Sequence, residues 1–299
     1  LGAPTTLVAK FECEDEFRRS VAQRMHFYER EVFFYERLAD SVSFRVPQCF
    51  HVSFDAGAAE PLLLLEDLGD SATDQTAGCP WDQVELVVDE IAGFHAKWWG
   101  GTRSLERSVV TIDDPEHLDG LRAIFASGWP YCERFAGDRM PPALRSLGQR
   151  WSTDVIGRLA SALRSPTTLC HGDLRLDNLR FDQGQLVVFD FQLLMLATGL
   201  TDLAYFMSQS VSTAVRAGRD EEVLARYLDR LSYAGVRIGR DEAWQAYRAA
   251  TLYMLIFPVV LYEGYEAMDS QARALVDSML DRSVAAILDV DACGVLEQL

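Results

Sequence analysis

Apolar residues recur with helical spacing at Phe17, Val21, Met25, Tyr28, Val32, Tyr35 and Leu38, with charges between them. This predicts one helix over Glu16–Leu38. Just before it, the β-branched stretch Thr5–Val8 predicts a strand ending at Lys10. A domain rarely opens on a buried strand, and none of the first nine residues is Met, so the sequence is expected to begin inside a domain. Cys49–Phe54 reads as a strand, with a turn at Gly57. Leu62–Leu65 is an unbroken apolar run, the pattern of a strand covered on both faces, and it ends in Glu66-Asp67-Leu68-Gly69-Asp70. A polar connector runs on to Pro80, and helical spacing then returns from Trp81 to about Trp99. Pro115, Pro130, Pro141 and Pro142 are expected to punctuate short helices. Ile156–Leu163 is helical, residues 167–192 alternate strand-like pieces with Gly and Asp turns, and the pattern from Asp202 onward is helical, broken near Gly235 and Gly239.

These elements predict an α+β chain in two parts. Residues 1–70 form a small mixed front part and residues 71–299 a mostly helical remainder, joined near 66–71. The length of 299 residues suits two lobes around a cleft. The longest nearly uncharged apolar run, Thr251–Tyr262, is broken by Pro258 and falls short of the roughly 20 residues that a bilayer span needs, so it reads as a buried helix.

Charge narrows the partners. With 45 acidic and 28 basic residues the net charge is −17, which argues against nucleic acid or an anionic membrane as the main partner. The six cysteines include no CxxC pair, and no Cys or His spacing suits zinc. Neither end carries a leader-peptide or lipidation pattern, and a cytoplasmic location is expected. All basic residues but Lys10 and Lys97 are arginine. A lysine closing an apolar strand suggests a positioned point charge, while Lys97, between Ala96 and Trp98, suits a side chain that lies along the surface.

The densest polar cluster is His171-Gly172-Asp173-Leu174-Arg175-Leu176-Asp177-Asn178, followed by a turn at Gln183-Gly184 and by Val187-Val188-Phe189-Asp190-Phe191-Gln192. A hairpin across that turn returns Asp190 beside Asp173 and Asn178. Three oxygen-bearing side chains then converge, a donor set suited to Mg²⁺.

This pair of motifs resembles the catalytic core of the protein-kinase-like phosphotransferases, closest to the aminoglycoside phosphotransferase and choline kinase superfamily with its ecdysteroid-kinase-like branch. Gly172 stands where protein kinases carry Arg, Gln192 where they carry Gly, and no A-P-E-like element follows Asp190. The resemblance extends from about Thr5 to Phe206. It implies a bilobal protein-kinase-like fold with a small N-terminal β-sheet lobe, apparently truncated, and a large helical C-terminal lobe. Further implications are ATP and Mg²⁺ as cofactors and a small-molecule hydroxyl as acceptor. Asp173 would be the catalytic base, Asn178 and Asp190 the magnesium ligands, and Lys10 with Glu31 the pair that positions the phosphates. Glu66 and Leu68 would offer backbone groups to adenine. His171 is expected to brace the loop, Asp177 to point away, and Asp202 to cap its helix or tie the loop down.

One departure stands out: only nine residues precede Lys10, too few for the phosphate-covering hairpin of this superfamily. A catalytically silent nucleotide-binding relative therefore stays open beside an active kinase, and a metal-dependent hydrolase is a weaker third possibility. The acceptor is expected to sit among the C-terminal helices, where Trp244, Tyr247, Tyr253, Phe257, Tyr262 and Tyr265 recur among ten acidic and three basic residues over 241–299. Those aromatics suit either an aromatic and acidic pocket for an amine-bearing alcohol or, in the plainer alternative, a core stripe with a solvated acidic face. Neither the acceptor's identity nor the oligomeric state is legible.

Overall fold

The computed structural model describes residues 4–55, 60–69 and 73–299. The expectations at Gly57 and Asp70 lie outside the described residues, as does the side chain of Phe17.

The chain opens with β1 (Leu7–Phe11), α1 (Glu16–Arg24) and α2 (Phe27–Arg37), followed by the strands β2 (Cys49–Asp55) and β3 (Glu60–Glu66). The strands form an antiparallel sheet in the order β1-β3-β2, with Lys10 opposite Leu63 and Leu7 opposite Glu66. Then come α3 (Trp81–Trp98), the short β4 (Val110–Thr111), α4 (Pro115–Ala136), α5 (Pro142–Gly148) and α6 (Ile156–Ala162). The central segment holds β5 (Thr168–Cys170), β6 (Leu179–Asp182), β7 (Gln185–Val188) and β8 (Met195–Ala197). The chain finishes with α7 (Leu200–Gln209), α8 (Thr213–Arg216), α9 (Asp220–Tyr233), α10 (Arg240–Tyr253), α11 (Ile256–Leu261) and α12 (Ser270–Asp289). A small N-terminal β-sheet lobe and a large C-terminal helical lobe thus give a bilobal kinase-like fold.

Three sequence expectations change. The single helix over Glu16–Leu38 is two, because His26 adopts a left-handed conformation with φ 55°. The buried Arg30 donates to the Met25 carbonyl at 2.7 Å, satisfying an acceptor that the break exposes. The bend also frees α2 to turn Glu31 toward the sheet. Second, β3 is not covered on both faces: Leu63 and Leu65 are buried while Leu62 is exposed, the alternation of a half-covered antiparallel strand. Third, Pro130 does not end a short helix but sits inside the 22-residue α4. It removes one N–H, yet Phe125, Trp129 and Cys132 around it are buried, and their packing holds the helix together.

Most of the 251–262 run is buried as expected, with Phe257, Val260 and Leu261 half-buried, although it divides between α10 and α11, with Pro258 within α11. No helix among the described residues is long and apolar enough to cross a membrane. All six cysteines are free.

Candidate functional site

The site is built on the β6–β7 hairpin. Gln183 and Gly184 both take positive φ, 48° and 81°, which suits a two-residue turn between twisted antiparallel strands. The register pairs Leu179 with Val188, and the Phe189 amide donates to the Asn178 carbonyl at 3.1 Å. Asn178 and Asp190 therefore leave the open end of one hairpin side by side. Asp190 is itself left-handed, with φ 68°, a conformation that Asp tolerates better than most residues. Phe191 stacks on Phe34 of α2, which fixes the chain just beyond it.

Across the cleft, the Lys10 ammonium donates to Glu31 at 2.7 Å and to Asp190 at 2.9 Å. Burial works against the lysine's charge, but the two carboxylates outweigh it and raise the pKa. Burial also pushes the Glu31 carboxyl up, with Lys10 pulling the other way. These three residues line an open cavity of about 710 Å³ together with Gln192.

Asp173 is buried, and four neighbours hold it. Asn178 donates its side-chain amide to the Asp173 carbonyl at 2.8 Å and to its carboxylate at 2.9 Å. Tyr205 of α7 donates its hydroxyl to the other carboxylate oxygen at 2.7 Å. Arg175 stands 3.4 Å from Asp173 and 3.2 Å from Asp177. The Asp173 amide donates to His171 Nδ1 at 3.2 Å, while His171 Nε2 contacts the Phe189 carbonyl at 3.1 Å. Burial raises the Asp173 pKa, Asp190 adds to the rise, and Arg175, Tyr205 and His171 oppose it. The charge of Asp190 therefore reaches Asp173.

Asp202 anchors the loop from beneath. It accepts the His171 amide at 2.7 Å and the Gly172 amide at 2.9 Å, and its carboxylate also contacts His95 Nε2 at 3.1 Å. His95 Nδ1 reaches the Tyr227 hydroxyl at 2.8 Å. Burial opposes the charge of Asp202, but these partners hold its carboxyl below the usual range. Of the two roles expected for Asp202, the geometry matches tying down the loop. Cys170 lies within metal-binding distance of His95 and Asp202, but every member of that trio is already bonded to protein groups. Gly172 is required by space as well as by its φ of 81°: a Cβ there would lie 2.0 Å from the Leu193 carbonyl oxygen.

The predicted hinge residues lie at the end of β3. The Glu66 amide is taken by the Gln48 carbonyl, and its carboxylate by Arg45 and the Gln48 amide. Arg180 of β6 donates to the carbonyls of Leu68 and Gly69, clamping the interlobe crossing. Lys97 lies over Trp98 and donates to the Ser41 carbonyl. Among the C-terminal aromatics, Tyr247, Tyr253 and Tyr262 are buried, which fits the core alternative for them.

Lys10, Glu31, Asp173, Asn178 and Asp190 are thus brought together, and Glu66 and Leu68 sit on the segment that crosses between the lobes. Sequence reasoning missed Arg175, Arg180 and Tyr205. Tyr205 carried one usable signal: it lies three residues after Asp202 in a predicted helix, hence on the same face.

A hard cation fits the donors left over. Asn178 commits its amide nitrogen to Asp173, and Asp190 commits one oxygen to Lys10. The Asn178 amide oxygen and the second Asp190 oxygen remain, an oxygen set suited to Mg²⁺.

The sequence model described as "Phosphotransferase enzyme family" matches residues 6–249. No curated protein matches the chain by sequence. Among solved structures, the GDP complex of aminoglycoside 2'-phosphotransferase-IIIa superposes with TM-score 0.55 at 16% identity, covering 95% of this chain and 91% of that one. Choline kinase from Cryptosporidium parvum gives TM-score 0.56 at 10% identity, covering 92% and 80%. A putative aminoglycoside phosphotransferase from Ralstonia eutropha gives TM-score 0.51 at 15% identity, covering 90% and 84%. At these identities the likeness is one of fold.

Proposed function

The chain belongs to the phosphotransferase enzyme family, and from that premise we propose that it moves the γ-phosphoryl group of ATP to a hydroxyl of a small molecule. The observation that carries this proposal is the meeting of Lys10, Asp190, Asn178 and Asp173 at one cleft.

In this proposal residues 1–70 form the nucleotide lobe and residues 71–299 carry the catalytic loop and most of the acceptor site. Glu66 and Leu68 offer backbone groups to adenine. Lys10, held by Glu31, binds phosphate oxygens. Asn178 and Asp190 hold Mg²⁺, which when bound neutralises charge on the triphosphate. Asp173 accepts the acceptor's proton as its oxygen attacks the γ-phosphorus in line, and the bridging bond to ADP breaks. Tyr205 and Asn178 aim the Asp173 carboxylate, while Arg175 keeps positive charge beside it.

Phosphoryl transfer from γ-labelled ATP to a panel of hydroxyl compounds, by the parent and by Asp173→Ala, tests the proposal. Labelled product from the parent, cut by a thousandfold or more in the variant, is expected. Magnesium-dependent nucleotide binding with no transfer to any acceptor supports a silent relative instead, and substrate hydrolysis without ATP supports a hydrolase.

A further inference from the structure

Beside the catalytic loop lies a second cavity, of about 220 Å³. Met25 and Phe27 line it from the α1–α2 junction, Leu121 and Ile124 from α4, and Tyr253 and Phe257 from the C-terminal helices. Two observations join it to the site. Gly172, immediately before Asp173, forms part of its wall, and Phe257 packs on the ring of Tyr205, whose hydroxyl is bonded to Asp173. Val21 and Phe27 also line the larger cavity that contains Lys10 and Asp190, so the two spaces adjoin.

The wall offers no free charge. Its one carboxylate, Asp202, is occupied by two loop amides and His95. Its one histidine, His117, is 4% exposed, and burial pushes its pKa down to about 3, so the ring is neutral at neutral pH. Neither His117 ring nitrogen has a hydrogen-bond partner among the described residues. A buried, unpartnered polar group in an otherwise apolar wall costs free energy that a ligand's polar group would recover. An ammonium group would be desolvated here, and the one carboxylate in the described lining, Asp202, already has its oxygens committed to two loop amides and His95. An apolar cavity of roughly 150 Å³ takes benzene, so this one suits a body of one or two rings.

We propose that the acceptor is an uncharged alcohol with an apolar one- or two-ring body, seated between α2, α4 and α11 with its hydroxyl toward Asp173 and a neutral polar group against His117. This rests on the phosphotransferase reading above and specifies its substrate class. The transfer balances as before: the alcohol oxygen bonds to the γ-phosphorus, the bridging bond to ADP breaks, and the hydroxyl proton passes to Asp173.

The test titrates 2-naphthalenemethanol, cyclohexylmethanol, choline and kanamycin into the nucleotide-free protein, with Mg·ATP titrated separately, and then measures phosphoryl transfer to each. The two apolar alcohols are expected to bind and to be phosphorylated with kcat/KM at least tenfold above that for choline or kanamycin. Leu121→Trp, which fills the cavity, weakens their binding at least tenfold. Ile124→Phe, a smaller intrusion, serves if the first variant does not fold. Preferred phosphorylation of choline or kanamycin, or apolar binding unchanged in a folded cavity-filling variant, overturns the acceptor assignment and leaves the phosphotransferase reading intact. Failure of Mg·ATP to bind at all overturns that reading, and the acceptor assignment with it.

Discussion

The Tyr205 hydroxyl donates to the Asp173 carboxylate at 2.7 Å, from a helix whose preceding turn carries Asp202, the anchor of the same loop. One face of α7 therefore both holds the loop and aims its central carboxylate. A hydrogen bond to a charged group contributes about 1.5–3 kcal/mol. Tyr205→Phe should lower kcat by roughly 10- to 100-fold with little change in the KM for ATP, as steady-state kinetics would show. A rise in the ATP KM with kcat intact would place Tyr205 in nucleotide binding instead.

Asp202 is expected to matter for stability before chemistry. Asp202→Ala strands two loop amides and a buried histidine. Breaking a buried charged network in this way costs about 3–5 kcal/mol. Urea denaturation reads that loss directly, and a change under about 1 kcal/mol would mean that the loop is held by other contacts.

Gly172→Ala tests how closely the loop must approach the turn after Asp190. The added methyl would lie 2.0 Å from the Leu193 carbonyl oxygen, at a φ that Ala adopts only under strain. The loop must shift, and a displacement of about 1 Å at a reacting group costs roughly 100-fold in rate. Phosphoryl-transfer kinetics on the folded variant, checked by circular dichroism, should show that loss.

His117 predicts an acid weakness. Its pKa falls from 6.5 to about 3 on folding, because burial and the nearby Arg30 disfavour the charged ring. The folded state therefore prefers the neutral form. That stability is fully present above pH 6.5 and is lost as the pH falls toward 3, by about 1.4 kcal/mol per pH unit. Between pH 7 and pH 5 the parent should lose roughly 2 kcal/mol more than His117→Leu in urea denaturation. Parallel losses in the two proteins would show that His117 is not the group responsible.

The sequence made the candidate site legible because its polar residues are local. Asp173, Asn178 and Asp190 lie within one loop and hairpin, and the Gln183-Gly184 turn fixes how the strands return. Lys10 and Glu31 were legible from order and type, although their 2.7 Å contact depends on the break at His26 that helical periodicity concealed. Arg180 was not, because its bond to the Leu68 carbonyl joins distant parts of the chain through packing that no spacing rule encodes, and for Tyr205 the spacing from Asp202 marks a helix face but not the bond to Asp173. The apolar cavity was only partly legible: Tyr253 and Phe257 suited either a pocket or a core stripe, and only their juxtaposition with α2 and α4 gives them a space to line.

Phosphoryl transfer at this cleft requires that Asp190 and Asn178 hold magnesium on a nucleotide beside Lys10. Equilibrium titration with ATP, with and without Mg²⁺, on the parent and on Asp190→Ala tests it most directly. Mg²⁺ is expected to tighten ATP binding to the parent at least tenfold and to do nothing for the variant. Equal, magnesium-enhanced binding by both proteins would contradict it.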